Sequence, residues 1–322
     1  MKLIIQIPCY NEENFLTETV KSLPKSVDGI ESVEILVIND GSTDKTIDVA
    51  RSLGVHHILD LPHVGLAKGF IQGLKYAVDL GADIIVNTDA DNQYSADDIP
   101  ALIAPIIEEN ADFVIGTRDI DSIKHFSFIK KNFQKLGSWV VRKISQTDVK
   151  DTTSGFRAFS RKAACKINVF SNYTYTLETI IQAEKANLKI AQVPIKVNDK
   201  TRESRLFSSM WEYIFKSIIM ILYINILYNA LRVFFVFGSI MFTAGFLILI
   251  RFFYYFISFY PVQSGHTQSL IIAAILFMLS GFFFVLGLIA SLISVNRQLI
   301  EQQAYQIQEI KSRLKRGNNG SS

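Results

Sequence analysis

Residues 81–95 read GADIIVNTDADNQYS, an apolar run that ends in two aspartates one residue apart. The run predicts a buried β-strand, so Asp89 and Asp91 lie where that strand gives way to a loop. Two like charges at a strand end are unfavourable unless a positive group lies between them. Asp89, Asp91 and Gln93 all carry side-chain oxygen atoms, the ligands that hard divalent cations prefer. Two aspartates alone are weak evidence for a metal, because solvated loop carboxylates are common.

The chain around this stretch alternates apolar runs with helical patterns, which fall near residues 13–22, 45–53, 67–80 and 96–108. Repeated β-α-β units with continuous apolar strands predict an α/β fold whose parallel sheet is covered on both faces. The predicted strands are KLIIQIP, VEILVIN, VHHILDL, ADIIVNT and ADFVIGT. Polar motifs follow the first, second and fourth of them: PCYNEE, NDGSTD and TDADNQ. Because ligands bind at the carboxyl ends of such strands, we expect one site that contains all three motifs, which strengthens the metal interpretation.

Composition and missing motifs exclude several other classes of protein. The net charge is +3 over 322 residues, which is too small to indicate nucleic-acid binding. No G-x-G-x-x-G follows the first strand and no G-x-x-x-x-G-K-[ST] is present, so dinucleotide-binding and P-loop folds lose their main support. We expect Cys9 and Cys165 to be buried free thiols rather than a disulfide framework.

Two long uncharged segments follow the α/β part. Residues 233–250 and 269–295 contain no charged residue and approach or exceed the about 20 apolar residues that a membrane-spanning helix needs. We predict two transmembrane helices; such lengths disfavour a pair of buried core helices. Arg232 precedes the first span, Arg297 and a basic tail follow the second, and the connector has no Lys or Arg. The positive-inside rule therefore places both flanks in the cytoplasm, and the amino-terminal apolar run is too short for a signal peptide.

Two further segments are predicted to be helices near the membrane surface. Residues 207–222 place apolar side chains at helical spacing, which predicts an interfacial amphipathic helix; packing on the α/β core is the alternative. Residues 296–316 are polar with a basic end, typical of a solvated helix beside anionic lipid, and carry a weak coiled-coil pattern. A homo-oligomer would form through the transmembrane helices and the carboxyl-terminal helix. The expected regions are a cytoplasmic α/β domain at 1–205, an interfacial region at 206–229, a transmembrane hairpin at 230–295 and a cytoplasmic basic tail at 296–322.

Motifs along the α/β part, taken in order, resemble one known family. They are P-x-Y-N-E (Pro8, Tyr10, Asn11, Glu12), N-D-G-S-T-D (39–44), D-A-D-x-Q (Asp89, Asp91, Gln93), G-T-R (116–118) and D-T-T-S-G-F-R-A (151–158). The chain resembles the GT-A glycosyltransferases of family 2 and, within them, the polyprenyl-phosphate glycosyltransferases. The resemblance covers residues 1–205 and implies a Rossmann-like GT-A domain. It is specific for the reaction class and not for the sugar.

The resemblance assigns one set of residues to the nucleotide-sugar donor and its metal. The expected donor-binding residues are Pro8, Tyr10, Glu12, Asp40, Lys68, Asp89 and Ala90. The expected ligands of Mg²⁺ or Mn²⁺ are Asp89, Asp91 and Gln93. Asp40 also fits a plain turn residue, and Lys68 also fits a surface lysine. We assign Asp44 to the cap of the following helix.

The resemblance assigns a second set to the acceptor phosphate and to catalysis. The expected phosphate-binding residues are Arg118, Lys131, Arg202, Ser204 and Arg205. The expected catalytic residues are Asp91, Asp151 and Arg118. Attraction to anionic headgroups is the alternative for the cations, and a structural turn is the alternative for Asp151. Here lysines stand where the family often has an arginine, and Glu203 departs from the family's phosphate loop.

The implied reaction is an inverting transfer of a hexose to polyprenyl phosphate on the cytoplasmic face, with glucose from UDP-glucose as the favoured case. The acceptor phosphate, with a second pKa of about 6, is ionised near neutral pH and needs no strong general base. The alternatives are a catalytically idle nucleotide-binding membrane scaffold and a family 2 transferase with another lipid acceptor. Processive synthases of the family need a Q-x-x-R-W motif and more spans, and the sequence has neither.

Overall fold

The computed structural model describes residues 1–118, 148–169, 175–198, 210–259 and 267–319. The strands are β1 Lys2–Cys9, β2 Ser32–Asp40, β3 His57–Leu61, β4 Ile84–Asn87, β5 Phe113–Arg118, β6 Arg157–Ser160 and β7 Ile190–Ile195. The helices are α1 Leu16–Ser22, α2 Thr46–Ser52, α3 Leu66–Asp79, α4 Ile99–Glu108, α5 Arg161–Lys166, α6 Thr176–Lys185, α7 Met210–Phe259 and α8 Thr267–Asn319, with a short 3₁₀ turn at Ala96–Asp98.

The strands form one seven-stranded sheet in the order β3-β2-β1-β4-β6-β5-β7. Neighbouring strands run parallel, except that β6 runs antiparallel to both β4 and β5. The prediction of a mainly parallel α/β sheet is confirmed. The sequence reasoning missed β6 and β7, and β6 matters for the site because it places Arg157 opposite Asn87 at the end of β4.

Alternation of side chains along the central strands divides the core between the two faces of the sheet. Ile4 of β1 packs with Phe70 and Leu74 of α3, whereas Ile5 packs in a second cluster with Leu102 of α4. Successive side chains of a strand point to opposite faces, so an unbroken apolar run fills both clusters. The structure therefore explains why the strands read as continuous apolar runs. Both faces are covered.

The two cysteines differ in environment. Cys9, the last residue of β1, is buried, and Cys165 on α5 is half-buried. Burial raises the pKa of the Cys9 thiol, which makes it an inert core side chain. The two cysteines form no disulfide, as expected, but the expectation that both are buried is wrong for Cys165, which packs against the margin of its cluster.

The carboxyl-terminal part contains two helices that are long and apolar enough to cross a membrane. These segments are Asn229–Ser258 and Thr267–Arg297, with mean hydropathies of 2.5 and 2.7. Within α7 the backbone leaves helical geometry at Asn229 (φ −131°, ψ 33°), which separates an amino-terminal helix from the first apolar segment. Residues 207–209, where the interfacial helix was predicted to begin, lie outside the described residues.

Small residues let the two apolar helices approach each other. The Ser280 hydroxyl donates to the carbonyl oxygen of Gly238 at 2.8 Å. A Cβ on Gly238 would stand 2.7 Å from the ring of Phe284, so the ring occupies the space that a side chain would need.

Contacts divide the chain into two compact units, Met1–Ser217 with Glu301–Ser322, and Ile218–Ile300. The finer division into four regions, and the placing of both termini in the cytoplasm, stay predictions.

Candidate active site

The loops after β1 and β2 are tied together by side-chain hydrogen bonds. Asn11 adopts a left-handed φ of 55°, and its side-chain oxygen accepts from the backbone N–H of Thr43 at 2.8 Å. Glu12 is 6% exposed, and its backbone N–H donates to Thr46 Oγ1 at 2.8 Å. Because β1 and β2 are adjacent and parallel, the two polar motifs meet at one edge of the sheet, as the sequence predicted.

Asp44 serves the start of α2. Its Oδ1 accepts from the backbone N–H of Thr46 at 3.0 Å, and its Oδ2 accepts from the backbone N–H of Glu13 at 3.1 Å. Desolvation raises the pKa of Asp44, but the hydrogen bonds from Thr46 and Glu13 outweigh it, so the pKa is lowered overall. The bond to Thr46, the first residue of α2, fits the capping role expected of Asp44, and the bond to Glu13 joins this loop to the one after β1.

Asp40, the last residue of β2, orders the turn before α3. Its carboxylate accepts from the backbone N–H of Val64 at 2.7 Å and of Gly65 at 3.0 Å, and it lies 3.1 Å from His63 Nδ1. These contacts fit the turn role that the sequence left open. Contact between Asp40 and a donor stays a prediction.

An aromatic pair is formed by residues that follow β1 and β3. The rings of Tyr10 and His63 stack with centroids 4.4 Å apart, and the Tyr10 side chain is 43% exposed. Gly41, at φ 69°, allows this approach, because a Cβ there would stand 2.6 Å from the backbone nitrogen of His63. The sequence reasoning missed His63. Its position two residues after β3, beside the other polar strand ends, was the available signal.

The Asp-Ala-Asp loop follows β4 directly. Asp89 and Asp91 are half-buried, and Ala90 is buried with its carbonyl oxygen accepting from Thr19 Oγ1 at 2.7 Å. Asp91 Oδ1 accepts from the backbone N–H of Gln93 at 3.2 Å, which orients that carboxylate. The structure therefore holds both aspartates at the carboxyl end of β4, next to the end of β1.

Arg118 and Asp151, expected at the acceptor phosphate and in catalysis, bind each other. Arg118 Nε and Nη2 donate to the two Asp151 carboxylate oxygens at 2.7 and 3.1 Å, and the side chains are 7% and 1% exposed. Burial raises the pKa of Asp151, but Arg118 outweighs it and holds the pKa below the usual aspartate range. Asp151 Oδ1 also accepts from the backbone N–H groups of Thr153 and Ser154, which is the turn role left open for it.

The segment between Asp151 and β6 lies against the aspartate loop. The backbone N–H of Gly155 donates to Tyr94 Oη at 2.9 Å, and its carbonyl oxygen accepts from Asn87 Nδ2 at 2.9 Å. Arg157 is fully buried and donates to the carbonyl oxygens of Ser154 and Thr152 at 2.7 and 3.1 Å. Burial lowers the pKa of the Arg157 guanidinium to about 10. Sequence reasoning singled out the D-T-T-S-G-F-R-A motif but used only its first residue.

The remaining predicted site residues divide into two groups. Pro8 is half-buried at the end of β1, and Lys68 is exposed on the first turn of α3. Lys131, Arg202, Ser204 and Arg205 lie outside the described residues. Their roles stay predictions.

Asp89 and Asp91 fit a divalent cation that a diphosphate shares. The described residues contain no cluster of three or more His, Cys, Asp or Glu side chains that could enclose a metal ion. Mg²⁺ is commonly bound by one or two carboxylates, several waters and substrate phosphates rather than by a complete protein cage. Two half-buried carboxylates at an open strand end match that arrangement.

Comparison with known proteins identifies the family. The family model described as glycosyl transferase family 2 matches residues 4–167. The chain belongs to glycosyl transferase family 2. The match spans β1 to α5 and so includes both strand-end motifs, the aspartate loop and the Arg118–Asp151 pair.

Two relatives of this chain are named for transfer to lipid phosphates. The UDP-N-acetylglucosamine–dolichyl-phosphate N-acetylglucosaminyltransferase of Methanococcus voltae is 33% identical over 59% of this chain and 83% of its own length. The undecaprenyl-phosphate mannosyltransferase of Micrococcus luteus is 26% identical over 61% of this chain and 83% of its own.

A solved structure shows the same fold. The glucosyl-3-phosphoglycerate synthase of Mycobacterium tuberculosis, in complex with Mn²⁺, uridine diphosphate and glucosyl-3-phosphoglycerate, superposes with a TM-score of 0.52. The two are 19% identical, over 68% of this chain and 79% of that one. The likeness confirms the GT-A fold predicted for this family 2 chain.

Proposed function

We propose that this chain transfers a sugar from a nucleoside diphosphate donor to a polyprenyl phosphate. The observation that carries the proposal is the Asp89-Ala90-Asp91 loop at the end of β4, next to the polar ends of β1 and β2. The two relatives named for dolichyl-phosphate and undecaprenyl-phosphate transfer support the acceptor class. Helices long and apolar enough to span a bilayer suit an enzyme whose acceptor is a lipid.

The donor site is built from residues with distinct tasks. The exposed ring of Tyr10 offers a stacking face to the nucleobase, and base–aromatic stacking contributes about 1–3 kcal/mol. Pro8, Glu12 and Asp40 line the same edge of the sheet, and Lys68 lies at the start of α3. Asp89, Asp91 and Gln93 would hold Mg²⁺ or Mn²⁺. When bound, the metal neutralises charge on the diphosphate leaving group.

The acceptor phosphate supplies its own nucleophile. It is ionised near neutral pH, so the protein's task is to orient two phosphate-bearing substrates and to offset their repulsion. Arg118 is held against Asp151 through two nitrogen atoms, so it would act on the substrates as part of that buried ion pair rather than as a separate cation. Lys131, Arg202, Ser204 and Arg205 remain the proposed direct contacts of the lipid phosphate. One in-line displacement inverts the anomeric carbon.

The finer assignment is a hexose, with glucose from UDP-glucose as the favoured donor, transferred on the cytoplasmic face. The fold neighbour whose structure contains uridine diphosphate supports a uridine nucleotide. The relatives are named for N-acetylglucosamine and mannose, so the test varies the sugar as well as the nucleotide.

The test is a screen of labelled UDP- and GDP-sugars against polyprenyl phosphate, with the full chain in detergent and with Mg²⁺, Mn²⁺ or chelator. We expect metal-dependent formation of a lipid-phosphate sugar from one UDP-hexose, with the anomeric configuration inverted by NMR. Nucleotide binding without transfer to any lipid would support a catalytically idle scaffold and contradict the proposal. Transfer to a lipid without phosphate would contradict the acceptor class.

A further inference from the structure

The backbone of Gly155 is held on both sides beside the aspartate loop. Its N–H donates to Tyr94 Oη and its carbonyl oxygen accepts from Asn87 Nδ2, each at 2.9 Å. Tyr94 and Asn87 are themselves buried, with 4% and 0% exposure. The position of Gly155 is therefore fixed from the strand side and from the loop side.

The missing side chain of Gly155 leaves the space that the Asp89 carboxylate occupies. A Cβ on Gly155 would stand 3.0 and 3.1 Å from the two carboxylate oxygens of Asp89 and 2.9 Å from Tyr175 Oη. These separations are shorter than an ordinary van der Waals contact. Gly155 does not adopt a positive φ, so alanine fits the backbone and its effect comes from the added methyl group alone.

The contacts of Tyr175 restrict its movement away from that added methyl group. Its hydroxyl accepts from Asn87 Nδ2 at 3.0 Å, and its ring stacks on Phe70 with centroids 3.9 Å apart and planes 8° from parallel. Asn87 Oδ1 in turn accepts from Gln6 Nε2 at 2.9 Å on β1. Asp89 is half-buried at a loop, so it is the neighbour that would move.

We propose that Gly155 is a positioning residue: its lack of a side chain lets the Asp89 carboxylate occupy its position. The Tyr175 hydroxyl limits how far that carboxylate can move. The inference rests on the proposed function, because the placement matters through the metal and diphosphate that Asp89 would hold. Groups that orient a metal ligand typically affect metal affinity by 10–100-fold. A shift of a few tenths of an ångström at Asp89 acts in the same way.

The experiment is calorimetry of UDP or GDP, whichever the wild-type chain binds, with Mn²⁺ and with chelator. In Gly155→Ala we expect the gain in nucleotide affinity caused by Mn²⁺ to fall at least about tenfold, with affinity in chelator unchanged. The matched control is Gly69→Ala on α3, where the nearest atom to the new Cβ is 3.9 Å away, and there the gain should remain. Equal losses with and without Mn²⁺ in Gly155→Ala, or no loss, would overturn the inference.

A second variant distinguishes positioning from a general loss of stability. Tyr175→Phe keeps the stacked ring and removes the hydroxyl. Alone it should reduce the Mn²⁺-dependent gain in nucleotide affinity several-fold, because the hydroxyl no longer limits the position of Asp89. Combined with Gly155→Ala it should restore part of the gain, because the methyl group can then move away from Asp89. A double variant no better than Gly155→Ala, or an unchanged gain in Tyr175→Phe alone, would contradict the proposal.

The controls also separate this inference from the proposed function. If nucleotide affinity in the wild-type chain is the same with Mn²⁺ and with chelator, the metal site of the proposed function is wrong and this inference falls with it. If the wild-type chain shows the gain and both variants keep it, only the inference about Gly155 is wrong.

Discussion

Asp89 and Asp91 are the residues from which the chemistry is most directly tested. We expect Asp89→Ala and Asp91→Ala each to reduce sugar transfer at least about 100-fold while the protein stays folded, because a Lewis acid typically contributes several kcal/mol. Transfer to polyprenyl phosphate is measured in Mn²⁺ and in chelator, with the exposed Asp97→Ala as the matched control. Near-normal turnover in chelator by either variant would contradict the metal assignment.

Asp151 provides a residue-scale test of stability. In Asp151→Asn the buried Arg118 loses its carboxylate, and we expect a loss of about 3–5 kcal/mol in the free energy of unfolding. Because the pKa of Asp151 is lowered in the folded state, its stabilisation is complete above the ordinary value of 3.8 and declines as the pH falls through the lowered value. The difference between wild type and variant should therefore be constant from neutral pH down to about pH 4 and shrink in stronger acid.

The control for this prediction is a surface pair. Asp48 lies 3.9 Å from Arg51 with 74% exposure, so Asp48→Asn should change the unfolding free energy by less than about 1 kcal/mol. Denaturant unfolding of the full chain in detergent measures both variants. Equal losses in unfolding free energy from Asp48→Asn and Asp151→Asn would show that the buried Arg118–Asp151 pair stabilises the fold no more than an exposed pair does.

Among the elements, the two apolar helices depend on close approach at Gly238. A side chain there would meet the Phe284 ring at 2.7 Å, so Gly238→Leu should destabilise their packing by about 1–3 kcal/mol. Gly281→Leu is the matched control, because a Cβ at that position would have no atom within 4 Å. The midpoint temperature of thermal unfolding in detergent should fall for Gly238→Leu and stay near the wild-type value for Gly281→Leu. The same value for both would exclude Gly238 as a tight contact.

At the scale of the whole molecule, the proposed reaction joins a water-soluble donor to a lipid acceptor. Arg202 lies in the sequence between the α/β domain and the first long helix, which is why we predict that it receives the lipid phosphate. Arg202→Ala should weaken polyprenyl-phosphate-dependent turnover at least about tenfold and leave donor affinity nearly unchanged. Arg202→Lys should rescue only partly, because lysine lacks the bidentate guanidinium.

Separate measurements decide the Arg202 prediction. Donor affinity is read by calorimetry without lipid, and turnover is read at varied polyprenyl phosphate concentration. Arg51→Ala, a change to an exposed cation on α2, is the matched control. Equal losses in donor affinity and turnover for Arg202→Ala would remove Arg202 from the acceptor site.

Apolar runs in the sequence predict much of the fold, but they predict less of the candidate site. The strands that carry the polar motifs were predictable because buried parallel strands read as unbroken apolar runs. β6, with the sequence RAFS, is four residues long and begins with a charged arginine, so no periodic pattern marks it. Gly155 lies inside a motif that the sequence singled out, and His63 follows a predicted strand, but neither pattern shows which distant residue each one contacts. Their importance comes from Tyr10 and Asp89, which lie far away along the chain.

The sequence by itself determined the family, the α/β class, the meeting of the polar strand ends and the presence of two helices able to span a membrane. These features depend on local composition and on the rule that parallel strands end at one edge. The tertiary structure alone decided that β6 enters the sheet antiparallel, that Arg118 binds Asp151, and that Gly155 lies against Asp89. Each depends on how β4, β5 and β6 pair, because that pairing brings the loops beside them together, and the register is set by packing of the whole sheet rather than by any local stretch.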